Sequence, residues 1–328
     1  MTNRENTLGS APGKLFLLGE YAVLAGGWSL VCAMDRFVHI RQHDELPPGY
    51  RVEGADFEAS DTLPRAVLRH ARADEGVLDS LLADVSQLYH RGEKLGLGSS
   101  AASTAALLEA VAPQLSPMER FATAFAAHRE IQNGRGSGGD IAAACFGGVL
   151  AYKLDEPQQP FPLLEQDSSR GEHAGGVARV ARLDLLPELI RIEAIWTGAP
   201  ASSTELIGRV EGTLAKHPGE VRDALERIAR CAEDGIAALE AADAVAFVEV
   251  IDRADSAMEA LGALCHAPIS TPLHRALAER ARASGLACKP SGAGGGDFSL
   301  LVGAKTSDWD GVLGDLPKGC EHIALNVV

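Results

Sequence analysis

No two cysteines stand close together in this chain, no stretch stays apolar for long, and the basic residues fall well short of the acids. Each absence removes a class of protein. The six cysteines, Cys32, Cys145, Cys231, Cys265, Cys288 and Cys320, are scattered with no C-x-x-C pair. They read as reduced, mostly buried thiols and not as a disulfide framework or zinc ligands. No run approaches the roughly 18 apolar residues of a membrane span. The opening MTNRENTLGS lacks the apolar core of a secretion signal, and the expectation is a cytoplasmic protein. Lys and Arg number 30 against 45 Asp and Glu, a net charge of −15. That excludes general nucleic-acid and membrane-surface binding. An anionic substrate would have to be met by cations concentrated locally. There is no internal repeat, heptad array or low-complexity tail.

What is present is an ordinary globular composition, 46% hydrophobic and 23% charged over 328 residues. The length favours two domains over one core. The stretch 155–176, rich in Pro, Gln, Ser and Gly, marks the division, giving domains 1–165 and 166–328. Buried strands are expected at Leu15 to Leu18 and Ser29 to Ile40, separated by a Gly26-Gly27 turn. Residues 64–90 carry helical periodicity, and 117–132 read as an amphipathic helix. Residues 203–262 read as helical with a break at Lys216–Gly219, and Pro272 opens a helix running to Ser284.

Glycine-rich segments punctuate this pattern. LGLGSSAAS, Leu95 to Ser103, runs straight into a helix, NGRGSGGD precedes IAAACFGG, and SGAGGGD at 291–297 precedes the strand FSLLVG. The first has two readings. Its serines suit a helix N-cap, and its bare backbone amides at a positive helix end suit a phosphate. The formal G-x-G-x-x-A match to the dinucleotide fingerprint is weak, because that motif follows an apolar strand and here YHRGEK precedes it. A Walker A lysine is also missing.

Three segments decide between these readings. APGKLFLLGEY near position 11, GLGSSAA near 95 and KPSGAGGGD near 291 occur in an order that resembles the GHMP kinase superfamily across nearly the whole chain. The resemblance implies an α+β, two-domain GHMP kinase fold. Its N-terminal domain would be ribosomal-protein-S5-like, with a left-handed βαβ unit, and its C-terminal domain ferredoxin-like. It implies ATP and Mg²⁺ bound between the domains, with Gly96, Leu97, Gly98, Ser99, Ser100 and Ala101 around the triphosphate and Ser100 as metal ligand. The plain alternative for Ser100 is a helix N-cap.

Four details resemble the phosphomevalonate branch of that superfamily. Lys94, just ahead of the glycine loop, suits a phosphorylated second substrate, though a solvated surface lysine is the bland alternative. The segment Gly136, Ser137, Gly138, Asp140, Ile141, Ala142 matches a G-S-G-x-D-I-A motif, against the alternative of Asp140 as a turn or helix N-cap. Trp196 to Ser203 matches a W-T-G-x-P-A-S stretch whose Ser202 and Ser203 would donate to the substrate phosphate or cap the next helix. Lys289, Ser291 and Gly292 fall in the C-terminal signature and by resemblance at the phosphate-rich site, against the alternative of an exposed Lys before a Pro turn. Asp297 reads as fixing that turn. Glu130 stands near the position of a metal-binding Glu but one residue too close to Ser137, and Tyr21 replaces the usual His of G-E-H.

By resemblance Lys14 and Asp140 carry the chemistry. Lys14 would sit between donor and acceptor oxygens, paired with Asp140. The implied reaction is ATP-dependent conversion of 5-phosphomevalonate to 5-diphosphomevalonate. Mevalonate kinase and diphosphomevalonate decarboxylase activities, or a non-catalytic binding role for the same fold, are the alternatives. The expected partners are small molecules only, with monomer and homodimer both open.

Overall fold

The computed structural model describes residues 6–43, 49–55, 60–164, 170–185 and 187–328. The expected division at 165/166 lies partly outside them. Strand β1 (Thr7–Leu18) runs antiparallel to β2 (Ser29–Gln42), and the turn between them ends at Gly26 in a left-handed conformation, φ 74°. β3 (Arg51–Glu53) crosses through α1 (Thr62–Ala71) to the parallel β4 (Leu81–Asp84). A short hairpin of β5 (Tyr89–His90) and β6 (Glu93–Lys94) leads to α2 (Ser99–Val111), α3 (Pro117–Ile131) and α4 (Gly139–Phe146). Then come β7 (Val149–Leu154), β8 (Glu172–Ala174) and β9 (Ala178–Leu183).

The first sheet has the order β3-β4-β2-β7-β9-β8, with β1 on the other side of β2. Helices α2 and α4 pack on β1, and α1 and α3 lie against them. Because β9 pairs with β7, this sheet continues through Leu183, past the expected division. Pairing across the loop, and not the composition of the loop, sets where the layer ends.

The second unit comprises β10 (Ile190–Trp196), α5 (Ser203–Leu214), α6 (Pro218–Glu240), α7 (Ala244–Leu264), α8 (Pro272–Ala283), β11 (Ala287–Pro290), β12 (Phe298–Ala304), α9 (Asp310–Leu313) and β13 (Glu321–Ile323). Its antiparallel sheet runs β11-β12-β10-β13. Helical crossovers between β10 and β11 and between β12 and β13 make this the β-α-β-β-α-β arrangement of a ferredoxin-like layer. Helices α6 and α7 pack together between the sheets, and one apolar cluster runs through both units. Gly235 of α6 is a glycine because a Cβ there would run into Leu18 of β1.

Two expectations give way and one strand goes unread. The helical pattern of 64–90 stops at Ala71, where Arg72 turns left-handed (φ 55°) and the chain re-enters the sheet as β4 with Leu81 and Ala83 buried. The 203–262 pattern breaks a second time at Ala242 (φ 54°), and Asp243 caps α7 by accepting from the Ala246 amide. Strand β11 escapes the pattern because Lys289 and Pro290 disguise a segment that is wholly buried.

Candidate active site

The glycine loop answers its own question. Gly98 occupies the N-cap of α2 with φ 75° and no side-chain cap, so Ser99 and Ser100 lie inside the first turn and neither caps it. The first-turn amides of an α-helix have no partner within the helix, and here they are offered outward at the positive end of a 13-residue helix. A side chain at Gly98 would need that left-handed conformation and would meet the Lys14 stem at 3.1 Å.

Strand β1 passes beneath this loop. The Lys14 amide donates to the Leu97 carbonyl at 2.8 Å, and its Nζ donates to the Gly96 carbonyl at 3.1 Å. Helix α4 begins in the same way, with Gly138 left-handed at its N-cap and Asp140 in the first turn. Asp140 Oδ1 accepts from the Ile141 amide at 2.9 Å. The expected Lys14–Asp140 ion pair is not formed, since each group takes a backbone partner of its own. They are nevertheless neighbours: a Cβ on Gly98 would lie within 3.5 Å of both side chains.

Each helix start lines a cavity. The larger, about 760 Å³, is lined by Lys14, Ser137, Gly138, Asp140, Ser203 and Gly292 among others. The second, about 460 Å³, lies along the glycine-loop helix and has Tyr89, Lys94, Ser99 and Ser100 beside apolar walls from Val52, Leu63 and Leu107. Lys94 thus lines the second cavity and not the one containing Asp140. Desolvation lowers its pKa, with Asp297 opposing.

Other expected ligands turn inward. Lys289 is 1% exposed and gives its ammonium to Glu20 Oε1 at 2.5 Å and to the Pro290 carbonyl at 2.6 Å. Ser291 donates to the Phe16 carbonyl at 2.9 Å and accepts from the Phe16 amide at 3.1 Å. Ser291 splices the third glycine loop onto β1 and Lys289 ties β11 to the turn that follows β1, leaving neither free for a surface phosphate. Ser202 caps α5 by accepting from the Glu205 amide, and Ser203, one residue on, lines the cleft. Glu130 pairs with Arg69 at 2.5 Å and His70 at 2.9 Å on the outer face of α3, away from the cleft lining.

Asp297 ties loops together, as its turn suggested, but more widely. Its Oδ1 accepts from the Ala201 amide and its backbone pairs with Thr197 and Ala199, joining the W-T-G-A-P-A-S stretch to the third glycine loop. A Cβ on Gly96 would collide with its carboxylate, so the middle glycine loop leans on it as well. Burial raises the Asp297 pKa, and Lys14 and Lys94 oppose that shift. Tyr21 donates to the Ala293 carbonyl at 2.6 Å, fastening the first motif to the third.

Arg129, Arg135, His128 and Glu20 also line the large cleft and escaped the motif reading. A signal existed for the arginines. A chain of net charge −15 with an anionic substrate must gather its cations, and Arg129 precedes the NGRGSGGD loop while Arg135 lies within it. His128 is buried, with its Nε2 2.9 Å from Thr104 Oγ1, which in turn donates to the Ser100 carbonyl. Burial lowers its pKa, and nothing in its spacing announces that contact.

Comparison with known proteins identifies the family. The family description "GHMP kinases N terminal domain" matches residues 84–148. The phosphomevalonate kinase of Streptomyces sp. (strain CL190) is 30% identical across 92% of this chain and 91% of its own length. The chain belongs to the GHMP kinase family. A Lin0012 protein from Listeria innocua shares the fold of this chain at TM-score 0.79 and 23% identity, covering 98% of this chain and 97% of that one. The Streptococcus pneumoniae phosphomevalonate kinase in complex with phosphomevalonate and AMPPNP superposes at TM-score 0.75 and 19% identity, covering 97% and 99%.

A GHMP kinase of this kind implies Mg²⁺, and the residues fit it sparingly. Ser100 is exposed in the first turn of α2, free of any capping role. Among the described residues no group of three or more His, Cys, Asp or Glu is placed to hold a metal. Mg²⁺ keeps several waters and takes substrate phosphates as ligands, so one hydroxyl beside a nucleotide is a workable protein share.

Proposed function

We propose that the chain transfers the γ-phosphoryl group of ATP to the phosphate of 5-phosphomevalonate, giving 5-diphosphomevalonate and ADP. The observation that carries this reading is the approach of two helix N-termini, α2 and α4, each lining a cavity of its own, with Lys14 beside both helix starts and in the larger cavity. In a protein of net charge −15, that is a local positive centre suited to two polyanions brought end to end. The full-length likeness to the Streptomyces enzyme, and the ligands of the Streptococcus one, support this acceptor. The chain is read as acting in the cytoplasm. Among the described residues no helix is long and apolar enough to cross a membrane, and all six cysteines are free.

In this reading ATP occupies the cavity beside α2, with its phosphates on the amides of the glycine loop. Ser100 would hold Mg²⁺, which when bound would supply neutralisation of the ATP phosphate charge. The acceptor fills the larger cleft with its phosphate at Lys14. Phosphoryl transfer asks the protein for positioning and charge stabilisation, which Lys14 supplies while the Gly96 carbonyl holds its ammonium. A phosphate monoester, with second pKa about 6, is already mostly dianionic at neutral pH. Asp140 therefore has no proton to remove, and it orients the acceptor end of the site.

A coupled assay with mevalonate, 5-phosphomevalonate and 5-diphosphomevalonate tests the reading. ADP release is expected with 5-phosphomevalonate alone. Phosphorylation of mevalonate, or decarboxylation of 5-diphosphomevalonate, in its place would overturn it, and turnover of none of the three would favour a non-catalytic role.

Lys94→Ala is expected to raise KM by about 10- to 150-fold, the loss of one charge-assisted hydrogen bond. From its cavity the larger change should fall on ATP. A larger change for the acceptor would return Lys94 to the acceptor side. For Asp140→Asn, kcat should still rise through about pH 6 and flatten above it, following the acceptor phosphate. Its plateau should be about 10- to 100-fold lower. A low-pH limb that vanishes in the variant would make Asp140 a general base.

A further inference from the structure

One cation of the large cleft has its partner on the opposite wall. Among the described residues lining that cleft, the lysines and arginines are Lys14, Arg129 and Arg135. Lys14 donates to Gly96, and Arg129 lies over the Phe125 ring at 5.6 Å. Arg135 stands on the NGRGSGGD loop of the first unit, and its Nη2 lies 3.7 Å from Glu211 Oε2 on α5 of the second. Ser203, Thr204 and Ile207 bring that same helix onto the cleft.

This contact is single, long and one-sided. The Arg135 side chain is 60% exposed, and the buried Oε1 of Glu211 has no hydrogen-bond partner. Ion pairs of that geometry contribute little and yield readily to a better anion. A planar guanidinium gains most from a carboxylate, which it binds through two parallel bonds.

The acceptor proposed above carries an anion at each end. Its phosphate is the reacting group and belongs with Lys14 and the helix N-termini. Its carboxylate, at the far end of the carbon chain, needs a separate cation. We propose that Arg135 is that cation, and that its contact with Glu211 is a cross-cleft latch which the acceptor's carboxylate displaces. The assignment rests on the functional reading of the preceding subsection and adds to it a residue that selects for a carboxylate-bearing acceptor. Glu211 then acts as a competitor for the guanidinium. It lowers the population of the binding-competent arrangement and raises the apparent KM by that fraction.

Steady-state kinetics on the full-length protein test both halves. Glu211→Gln is expected to lower the KM for 5-phosphomevalonate by about 2- to 5-fold, the scale of a partly exposed ion pair, with the KM for ATP unchanged. Arg135→Gln should raise the acceptor KM by about 10- to 100-fold. The double variant should match Arg135→Gln alone, because Glu211 then has nothing to compete for. On the C1-amide of 5-phosphomevalonate, which lacks the carboxylate, wild type and Arg135→Gln should be alike. Thermal unfolding of each variant separates a folding defect from a binding one, and Arg135→Lys should give an intermediate KM. A Glu211→Gln protein with a raised acceptor KM would make the pair a closing clamp and overturn the latch. An Arg135→Gln penalty that persists on the amide would overturn the carboxylate assignment. A wild type that leaves 5-phosphomevalonate unchanged would overturn the functional reading itself, and the acceptor assignment with it.

Discussion

Lys14→Met is expected to lower kcat by about 10²–10³-fold, the usual cost of removing one group aimed at charge that develops in the transition state. Methionine keeps an unbranched stem. The packing against Gly98, where a Cβ would already stand 3.1 Å from the Lys14 Cγ, therefore survives. What disappears is the ammonium held by the Gly96 carbonyl at 3.1 Å. The Lys14 amide still donates to Leu97, so β1 remains joined to the glycine loop and the melting temperature should hardly move. Because the lost interaction is strongest as charge spreads over the transferring phosphoryl group, kcat should fall far more than either KM changes. A variant with kcat within a few-fold of wild type would remove Lys14 from the chemistry. A variant losing only affinity for ATP would turn it into a nucleotide ligand.

The parts of this site that the sequence made legible are those fixed by backbone demands. A glycine at 98 and another at 138 are needed for left-handed N-caps, and such a need shows directly in a string of residues. Hydroxyls and ammonium groups are harder to read, because their meaning depends on a partner far along the chain. Ser202 and Ser203 are adjacent and chemically alike, yet the first turns back to cap α5 and the second faces the cleft. Ser291 meets Phe16 across 275 residues, and nothing local distinguishes it from a phosphate ligand. The same holds for strand limits. LLADV after a helical pattern becomes β4 only because β2 is there to pair with it, and β9 belongs to the first sheet because β7 is.

Lys289→Met should test the largest of these reversals. A phosphate-binding lysine, when removed, weakens the substrate and leaves the fold alone. A buried one does the opposite. Lys289 and Glu20 are 1% and 3% exposed, and Glu20 Oε2 already has no hydrogen-bond partner. Taking away the ammonium strands a carboxylate in the core, which costs about 3–5 kcal/mol for a buried pair broken on one side. At roughly 2–4 °C per kcal/mol for a chain of this size class, the melting temperature should fall by about 10 °C. Glu20→Gln added to Lys289→Met removes the stranded charge and should restore much of that loss, giving a coupling that two independent sites would not show. Well below the transition, the acceptor KM of Lys289→Met should change by no more than about 2- to 5-fold, since Lys289 itself does not line the cleft and only its partner Glu20 does. The pair joins the last residue before the third glycine loop's proline to the Gly-Glu-Tyr turn that follows β1. Its rupture should therefore loosen both motifs together, and kcat should fall only as the temperature nears the lowered transition. An unchanged melting temperature with a raised acceptor KM would put Lys289 back at the phosphate and overturn its burial as the reason for its presence.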